Sequence, residues 1–223
     1  MRQFFTFFLI SLASVSAHSQ TIDTYDIKNG RPTDTSPGWV WNYSGTITPS
    51  ATRPGLYDYT GGRGTLNDGI IPQQHENIVG FIPGDNTVLT LHLSGTSVIN
   101  EINFFSMLGT NVLAGNLSGA TISYGGVSVA LQSSDWGASC GFTLCNDRFS
   151  LANTALAGLS TDVITFSNFT SVAYPGYGGS FPVGEITLSG TVIPAVPEPA
   201  NIGMLLAGLG LTGFMIRRRN RKA

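Results

Sequence analysis

The sequence predicts an all-β protein, a jelly-roll-like β-sandwich, from three observations. Charged residues make up only 11% of the chain while glycine occurs 28 times, a mixture that favours turns and short strands over charged amphipathic helices. Apolar residues alternate over short stretches that Gly, Asn, Asp and Ser separate, and no stretch keeps a helical period for three turns. Spaced strands without intervening helices are typical of sandwiches and jelly rolls.

The N-terminal residues 1–17 have the three regions of a secretory signal peptide. Arg2 supplies the positive charge, an apolar run rich in phenylalanine follows, and Val15-Ser16-Ala17 offers small residues for cleavage. We expect cleavage after Ala17. The alternative, an uncleaved membrane anchor, is disfavoured because the apolar run is too short to span a bilayer core of about 30 Å.

Residues 18–54 are predicted to form an N-terminal strand and loop region of the mature domain. The segment is polar and interrupted by Pro32, Pro37 and Pro49. Alternation of Trp39, Trp41 and Tyr43 suggests a first strand, and the two tryptophans on one face of it are expected to pack in the core.

The remaining strands are predicted where apolar alternation is clearest. They have five to nine residues each, as expected for globular β proteins. The predicted strands are Thr87–Leu93, Ser97–Phe105, Ala120–Tyr124, Val127–Leu131, Asp162–Phe169 and Gly184–Val192.

The charge is unevenly distributed along the chain. The formal net charge is −2, but five of the eleven basic residues lie at the extreme C-terminus. Between Asp23 and Glu185, five basic residues stand against twelve acidic ones, a formal charge of −7. That sign is wrong for holding a phosphate backbone, so nucleic-acid binding is excluded.

The last residues, 194–223, contain three segments in series. The motif Val196, Pro197, Glu198 and Pro199 is held extended by its prolines and stays accessible to a processing enzyme. Ile202–Ile216 is uncharged and predicts a single hydrophobic helix about 22 Å long, marginal for a permanent span. A basic stop follows, which would hold the C-terminus in the cytoplasm; it consists of Arg217, Arg218, Arg219, Arg221 and Lys222.

This tail resembles the PEP-CTERM sorting signal of Gram-negative bacteria. The resemblance implies recognition by an exosortase-type membrane protease, a membrane-anchored precursor that contacts the inner membrane transiently, and export to the cell surface or medium. It also implies an association with exopolysaccharide or biofilm. The alternative is an ordinary tail anchor with a chance Pro-Glu-Pro.

Four short motifs occur in series within residues 55–193: Leu66-Asn67-Asp68-Gly69, the run Leu89–Gly95 that ends in a short turn, the strand Val98–Phe105, and Gly184–Gly190. In this order they resemble the motifs of a discoidin-like, galactose-binding-like β-sandwich domain. The sequence departs from the family at Asp135-Trp136-Gly137 and at Pro175–Gly179, which puts the ligand loops in doubt.

The discoidin-like resemblance implies a structural calcium ion with Asp68 and Glu185 among its oxygen ligands. Carboxylate and carbonyl oxygens suit this hard cation, and loop carbonyls would supply the other positions. The alternatives are that Asp68 caps its own turn and that Glu185 is a solvated strand residue.

Aromatic residues in glycine-rich loops are the candidate sugar-binding residues. Trp136, Tyr174 and Tyr177 could each cover the apolar face of a sugar ring. The alternative is that these rings pack against long loops and hold them in place without binding a sugar.

Cys140 and Cys145 are the only cysteines, and in an oxidising compartment such a pair predicts a structural disulfide. A redox-active pair usually has two intervening residues, and a metal site would need further ligands.

The sequence predicts a non-enzymatic function, since no residues have the spacing of a catalytic motif. The main hypothesis is an exported surface or matrix protein associated with exopolysaccharide. A calcium-stabilised carbohydrate-binding module is the alternative, and an extracellular hydrolase is less favoured.

Overall fold

A computed structural model describes residues 19–35, 39–72, 77–107, 115–134, 144–172, 179–194, 204 and 207–209. The chain divides into two compact units, Met1–Ile193 and Pro194–Ala223. The predicted signal peptide and its cleavage position lie outside the described residues.

The first unit is built from β-strands, which confirms the predicted fold class. Its described residues contain one 3₁₀ turn, Pro83–Asp85, and fourteen strands. The strands are β1 (Ser19–Gln20), β2 (Ile22–Gly30), β3 (Asp34–Thr35), β4 (Trp39–Val40), β5 (Thr46–Pro49), β6 (Tyr57–Gly62), β7 (Val79–Phe81), β8 (Val88–Met107), β9 (Asn116–Tyr124), β10 (Val127–Gln132), β11 (Leu144–Ser150), β12 (Ser160–Val172), β13 (Phe181–Val183) and β14 (Glu185–Val192).

The strands form two antiparallel layers. The first layer has the order β10-β9-β12-β8-β2-β6-β5, and the second consists of β11, the far half of β8, β14 and β1. Two small sheets, β7 with β13 and β3 with β4, are separate from these ladders.

The long strand β8 belongs to both layers. Its residues 88–93 pair with β2 and β12, residues 97 and 98 pair with β12 and β14, and residues 99–107 pair with β14 and β11. The sequence predicts two strands separated by a turn at Ser94-Gly95, whereas β8 continues through both residues. The ladder is nevertheless irregular there, because residues 93–96 of β8 stand opposite only Asp162 of β12.

The core lies between the layers and is rich in aromatic rings. Phe104 on the second-layer half of β8 contacts Phe166 on β12 edge to face, with ring centroids 5.2 Å apart, and Phe149 on β11 at 5.7 Å. All three side chains are buried. Phe104 therefore joins both layers.

The N-terminal region contributes more to the sheet than its sequence suggests. Nine-residue β2 lies between β8 and β6 and buries Tyr25 and Ile27. The predicted strand at residues 39–43 is reduced to β4, which covers only Trp39–Val40. Trp41 is buried as predicted and packs on Tyr59 at 4.6 Å.

In the second unit, Met204 and residues 207–209 are α-helical and exposed. The rest of the predicted hydrophobic helix and the basic stop lie outside the described residues. Within the part of the chain that is described, no helix is long and apolar enough to cross a membrane.

Candidate functional site

The turn Leu66–Gly69 is held in place by hydrogen bonds on both sides. Its Asn67 side chain accepts from the Gly64 N–H at 2.9 Å and donates to the carbonyls of Ile22 and Asp23 on β2 at 3.2 and 3.3 Å. Gly69 has φ +79°, a left-handed conformation that suits glycine. The turn is therefore fixed against the N-terminal strand.

Asp68 and Glu185 meet at this turn, as the resemblance implied. The Ile186 N–H donates to Leu66 O at 3.0 Å, and the Gly69 N–H donates to Glu185 Oε2 at 3.1 Å, so the start of β14 is bound to the turn. Asp68 also caps its own turn, because its Oδ1 accepts from the Ile70 N–H at 2.8 Å. Glu185, by contrast, is not a solvated strand residue: only 4% of it is exposed.

The electrostatics of Glu185 are unusual for a carboxyl group. Burial, reinforced by the neighbouring Asp68 carboxylate, raises the pKa of Glu185 from 4.5 to about 8, although the Gly69 N–H opposes the shift. Removing a carboxylate from water disfavours its charged form, and a second negative charge nearby adds to that cost. The raised pKa therefore favours the protonated form of Glu185 at neutral pH.

Tyr25 of β2 lies close to Asp68 and Glu185, and no sequence motif points to it. Its ring is fully buried, and the backbone N–H of Leu66 lies near its hydroxyl. Burial, together with the charges of Tyr43, Asp68 and Glu185, raises the pKa of Tyr25, so the hydroxyl stays protonated. Alternation along β2 predicts only that one face is buried, and it does not reveal what this hydroxyl lies near.

A cavity of about 210 Å³ adjoins Glu185. It is lined by Gln20–Ile22 of β1 and β2, by Asn67 and Gly69 of the turn, and by Glu185–Thr187 of β14. The sequence motif assigns no role to Asn67. In the structure, its side-chain amide joins the turn to β2.

The donor set of this site suits a hard cation better than a transition metal. Asp68 and Glu185 offer carboxylate oxygens, and backbone carbonyls are nearby. Among the described residues, no group of three or more His, Cys, Asp or Glu side chains could hold a metal ion. A cation here would depend on carbonyl or water oxygens for most of its coordination.

The other sequence-predicted site residues are not brought together by the described structure. Trp136, Tyr174 and Tyr177, the sorting motif Val196–Pro199 and the basic stop all lie outside the described residues. So does Cys140, whereas Cys145 is buried on β11. The disulfide therefore stays a prediction.

Outside this site, His92 forms a half-exposed pair with Asp26. Its Nε2 lies 2.9 Å from Asp26 Oδ2, across the adjacent strands β8 and β2. The second Asp26 oxygen accepts from the Gly61 N–H at 2.6 Å. The His92 side chain is thus partly exposed and contacts the neighbouring strand β2.

Solved structures similar to this chain include family 32 carbohydrate-binding modules, which are discoidin-like. The NanJ module of Clostridium perfringens, in complex with galactose, is 14% identical with a TM-score of 0.38, over 67% of this chain and 93% of the module. A second C. perfringens module, in complex with GalNAc-β-1,3-galactose, is 13% identical with a TM-score of 0.39, over 74% and 93%. A fucose-binding module of Streptococcus pneumoniae is 12% identical with a TM-score of 0.33, over 56% and 81%.

No curated protein sequence matches the chain. Residues 195–219 match the PEP-CTERM protein-sorting motif. This motif implies export, a membrane-anchored precursor and processing by exosortase, a membrane protease. The chain is thus an all-β protein that carries a PEP-CTERM sorting signal behind its folded unit.

Proposed function

We propose that this protein is a non-enzymatic component of the cell surface or extracellular matrix, cut at Pro197–Pro199 and associated with the exopolysaccharide of a biofilm. The observation that carries the proposal is the sorting motif at residues 195–219, which directly follows a compact β unit ending at Ile193. A protein delivered by such a tail functions outside the cytoplasm.

The position of the last strand supports processing without damage to the fold. β14 ends at Val192, and the Ile193 N–H donates to Thr96 O at 2.9 Å. The motif begins two residues later, so a cut there leaves every strand of both layers in the processed protein. The folded unit can therefore act after its tail has gone.

Replacing Pro197-Glu198-Pro199 with three alanines tests this proposal. We expect the variant to stay in the inner membrane at its unprocessed mass, because the processing enzyme no longer finds its motif. Pro194→Ala, just before the motif, is the matched control and should be processed normally. Immunoblots of membrane and extracellular fractions, with intact masses, make the comparison. An unchanged mature mass in the triple variant would contradict processing at this motif.

A calcium-stabilised carbohydrate-binding module is the second candidate function. The observation that favours it is the buried Glu185 carboxyl beside the exposed Asp68 carboxylate, because a carboxylate removed from water is stabilised by a positive partner and two oxygen donors lie together here. Asp68 and Glu185 would hold the ion together with loop carbonyls, and the charge of the ion would stabilise the turn against β14. The ion would support the fold and would take no part in a reaction.

Binding to the producing strain's own exopolysaccharide tests the second candidate. We expect immobilised polysaccharide to retain the exported protein, and replacement of Trp136, Tyr174 and Tyr177 by alanine to lower that retention. Ile47→Ala, at an exposed apolar residue of β5, controls for a general surface effect. If the wild-type protein passes through the column unretained, the second candidate is wrong, while the sorting proposal is unaffected.

A further inference from the structure

The feature that the proposed function does not use is the outer edge of β10. Among the described residues, β10 pairs with β9 alone and ends the first layer on that side. Val127, Val129 and Leu131 turn toward the core but remain partly exposed, whereas Ser128, Ala130 and Gln132 are exposed. The strand thus has one covered side and one open side.

The hairpin geometry fixes which backbone groups lie on the open side. Gly125 and Gly126 have φ values of +59° and +77°, as a two-residue type I′ turn requires, and this turn makes Tyr124 and Val127 a hydrogen-bonded pair. Hydrogen bonds to β9 then recur at every second residue, and the next one beyond the strand is seen from the Ser133 N–H to Ser118 O at 3.0 Å. The N–H and C=O groups of Ser128, Ala130 and Gln132 therefore point away from β9.

This edge lacks the features that usually prevent strands from pairing between molecules. The segment Val-Ser-Val-Ala-Leu-Gln has no charge and no proline, and its register with β9 has no bulge. The opposite edge of the same layer, β5, has only four residues and ends in Pro49. Of the two edges, β10 is the better template for another strand.

We propose that β10 pairs antiparallel with β10 of a second copy of this chain, about a two-fold axis at Ala130. Ser128 then lies opposite Gln132 of the second copy, and Ala130 lies opposite its own counterpart. Three hydrogen-bonded pairs of two bonds each would give about six intermolecular backbone hydrogen bonds. The two first layers would become one continuous sheet.

A second copy fits this edge because the edge is complementary to itself. An isologous interface brings each residue near its own symmetry mate, so a charged strand would repel itself, whereas this neutral strand does not. The small Ala130 side chains leave room at the axis. On the core side, Val129 meets Leu131 of the second copy, which covers the apolar surface that both leave partly exposed.

The association should be weak in dilute solution. One edge strand buries less than the roughly 1,600 Å² of a standard interface. Proteins held together on a cell surface meet at a much higher effective concentration, which favours such pairing. The proposal concerns self-association and does not depend on polysaccharide binding.

A charge introduced at Ala130, on the proposed two-fold axis, tests the proposal. We expect the exported protein to show concentration-dependent dimers in sedimentation velocity and Ala130→Lys to lower the association constant at least tenfold, since two like charges would face each other. Ser160→Lys, at an exposed residue of interior strand β12, is the matched control and should dimerise normally. Melting temperatures close to wild type would show that both variants fold. Wild-type protein that stays monomeric throughout, or an Ala130→Lys variant that dimerises fully, would overturn the proposal.

Cross-linking tests the register. Ala130→Cys should join two copies through a short thiol-reactive linker, because the Cα atoms of a hydrogen-bonded antiparallel pair are about 5.5 Å apart. Gln132→Cys should join poorly, since Gln132 lies opposite Ser128 of the second copy. Wild-type protein treated in the same way controls for the native cysteines. Equal cross-linking of the two variants would rule out an axis at Ala130.

Discussion

Glu185 is a carboxyl group that the fold removes from water and places beside Asp68. Its Oε2 accepts one hydrogen bond, from the Gly69 N–H, and burial raises its pKa to about 8. In the unfolded chain the same group has a pKa near 4.5. The difference makes folding stability depend on pH and on cations.

The sign of the pH dependence follows from the raised pKa. Below about pH 4.5 Glu185 is protonated in both the native and the unfolded state, so it does not change the free energy of unfolding. As the pH rises toward 8, the unfolded state releases its proton while the native state retains it, and the free energy of unfolding falls by an amount on the order of a few kcal/mol. In a chelator, Glu185→Gln should remove this fall, because the amide oxygen still accepts from Gly69 and does not ionise. Urea unfolding between pH 5 and 8 measures this fall in the free energy of unfolding. The matched control is Asp162→Asn, which replaces an exposed carboxyl group and should keep the fall.

Calcium should act on the same residue with the opposite effect. If the ion binds as proposed, it raises the melting temperature of wild-type protein at pH 8 and leaves Glu185→Gln unchanged, because the variant has lost one anionic ligand. A calcium response of equal size in both proteins would contradict a role for Glu185. If the free energy of unfolding had the same pH dependence in wild-type protein and in Glu185→Gln, the raised pKa of Glu185 would be contradicted.

Sequence could identify the two acidic residues of this site but not their surroundings. Asp68 and Glu185 are identifiable as candidate calcium ligands because their motifs resemble those of discoidin-like domains. Their proximity depends on contacts such as Gly69 to Glu185, which are 116 residues apart. Burial of Glu185 could not be predicted, because its strand reads as an alternating one whose polar positions face solvent.

At the level of elements, β8 determines how the layers are joined. Phe104 and Phe105 are consecutive residues on opposite faces of it: Phe104 is buried between Phe149 and Phe166, whereas Phe105 is partly exposed. We expect Phe104→Ala to lower the free energy of unfolding by about 3–5 kcal/mol, as is typical of a deleted core ring. Phe105→Ala should cost clearly less. Equal losses in urea unfolding would contradict the role assigned to Phe104.

Strands with strict apolar alternation were predictable, and strands with polar outer faces were not. The hairpin of β9 and β10 carries alternating apolar residues and a Gly-Gly turn; β10 matches its predicted strand to within one residue, and β9 contains the predicted Ala120–Tyr124 but begins at Asn116. β2 and β11 were missed, since Asp23, Asp26 and Lys28 on one and Asp147 and Arg148 on the other obscure the pattern. Their place in the sheet depends on partners distant in sequence, which periodicity does not identify.

At the scale of the whole molecule, the division of charge matches the division of the chain. The unit that folds carries most of the acidic residues, while nearly half of the basic ones lie after Pro199. A cut within the motif would leave a strongly acidic domain, which is expected to stay soluble and to repel anionic surfaces. A polysaccharide that binds this domain is therefore expected to be neutral, or to be anionic and bridged to the domain by cations.

The continuity of β8 also has a consequence for survival outside the cell. Because one strand supplies a partner to both layers, we expect the two layers to open together. Extracellular proteases act mainly on segments that unfold locally, so the sandwich would present them with one all-or-none opening instead of a loose half. Resistance to digestion should then depend on global stability, and any ligand that stabilises the native state would lengthen the lifetime of the protein in the matrix.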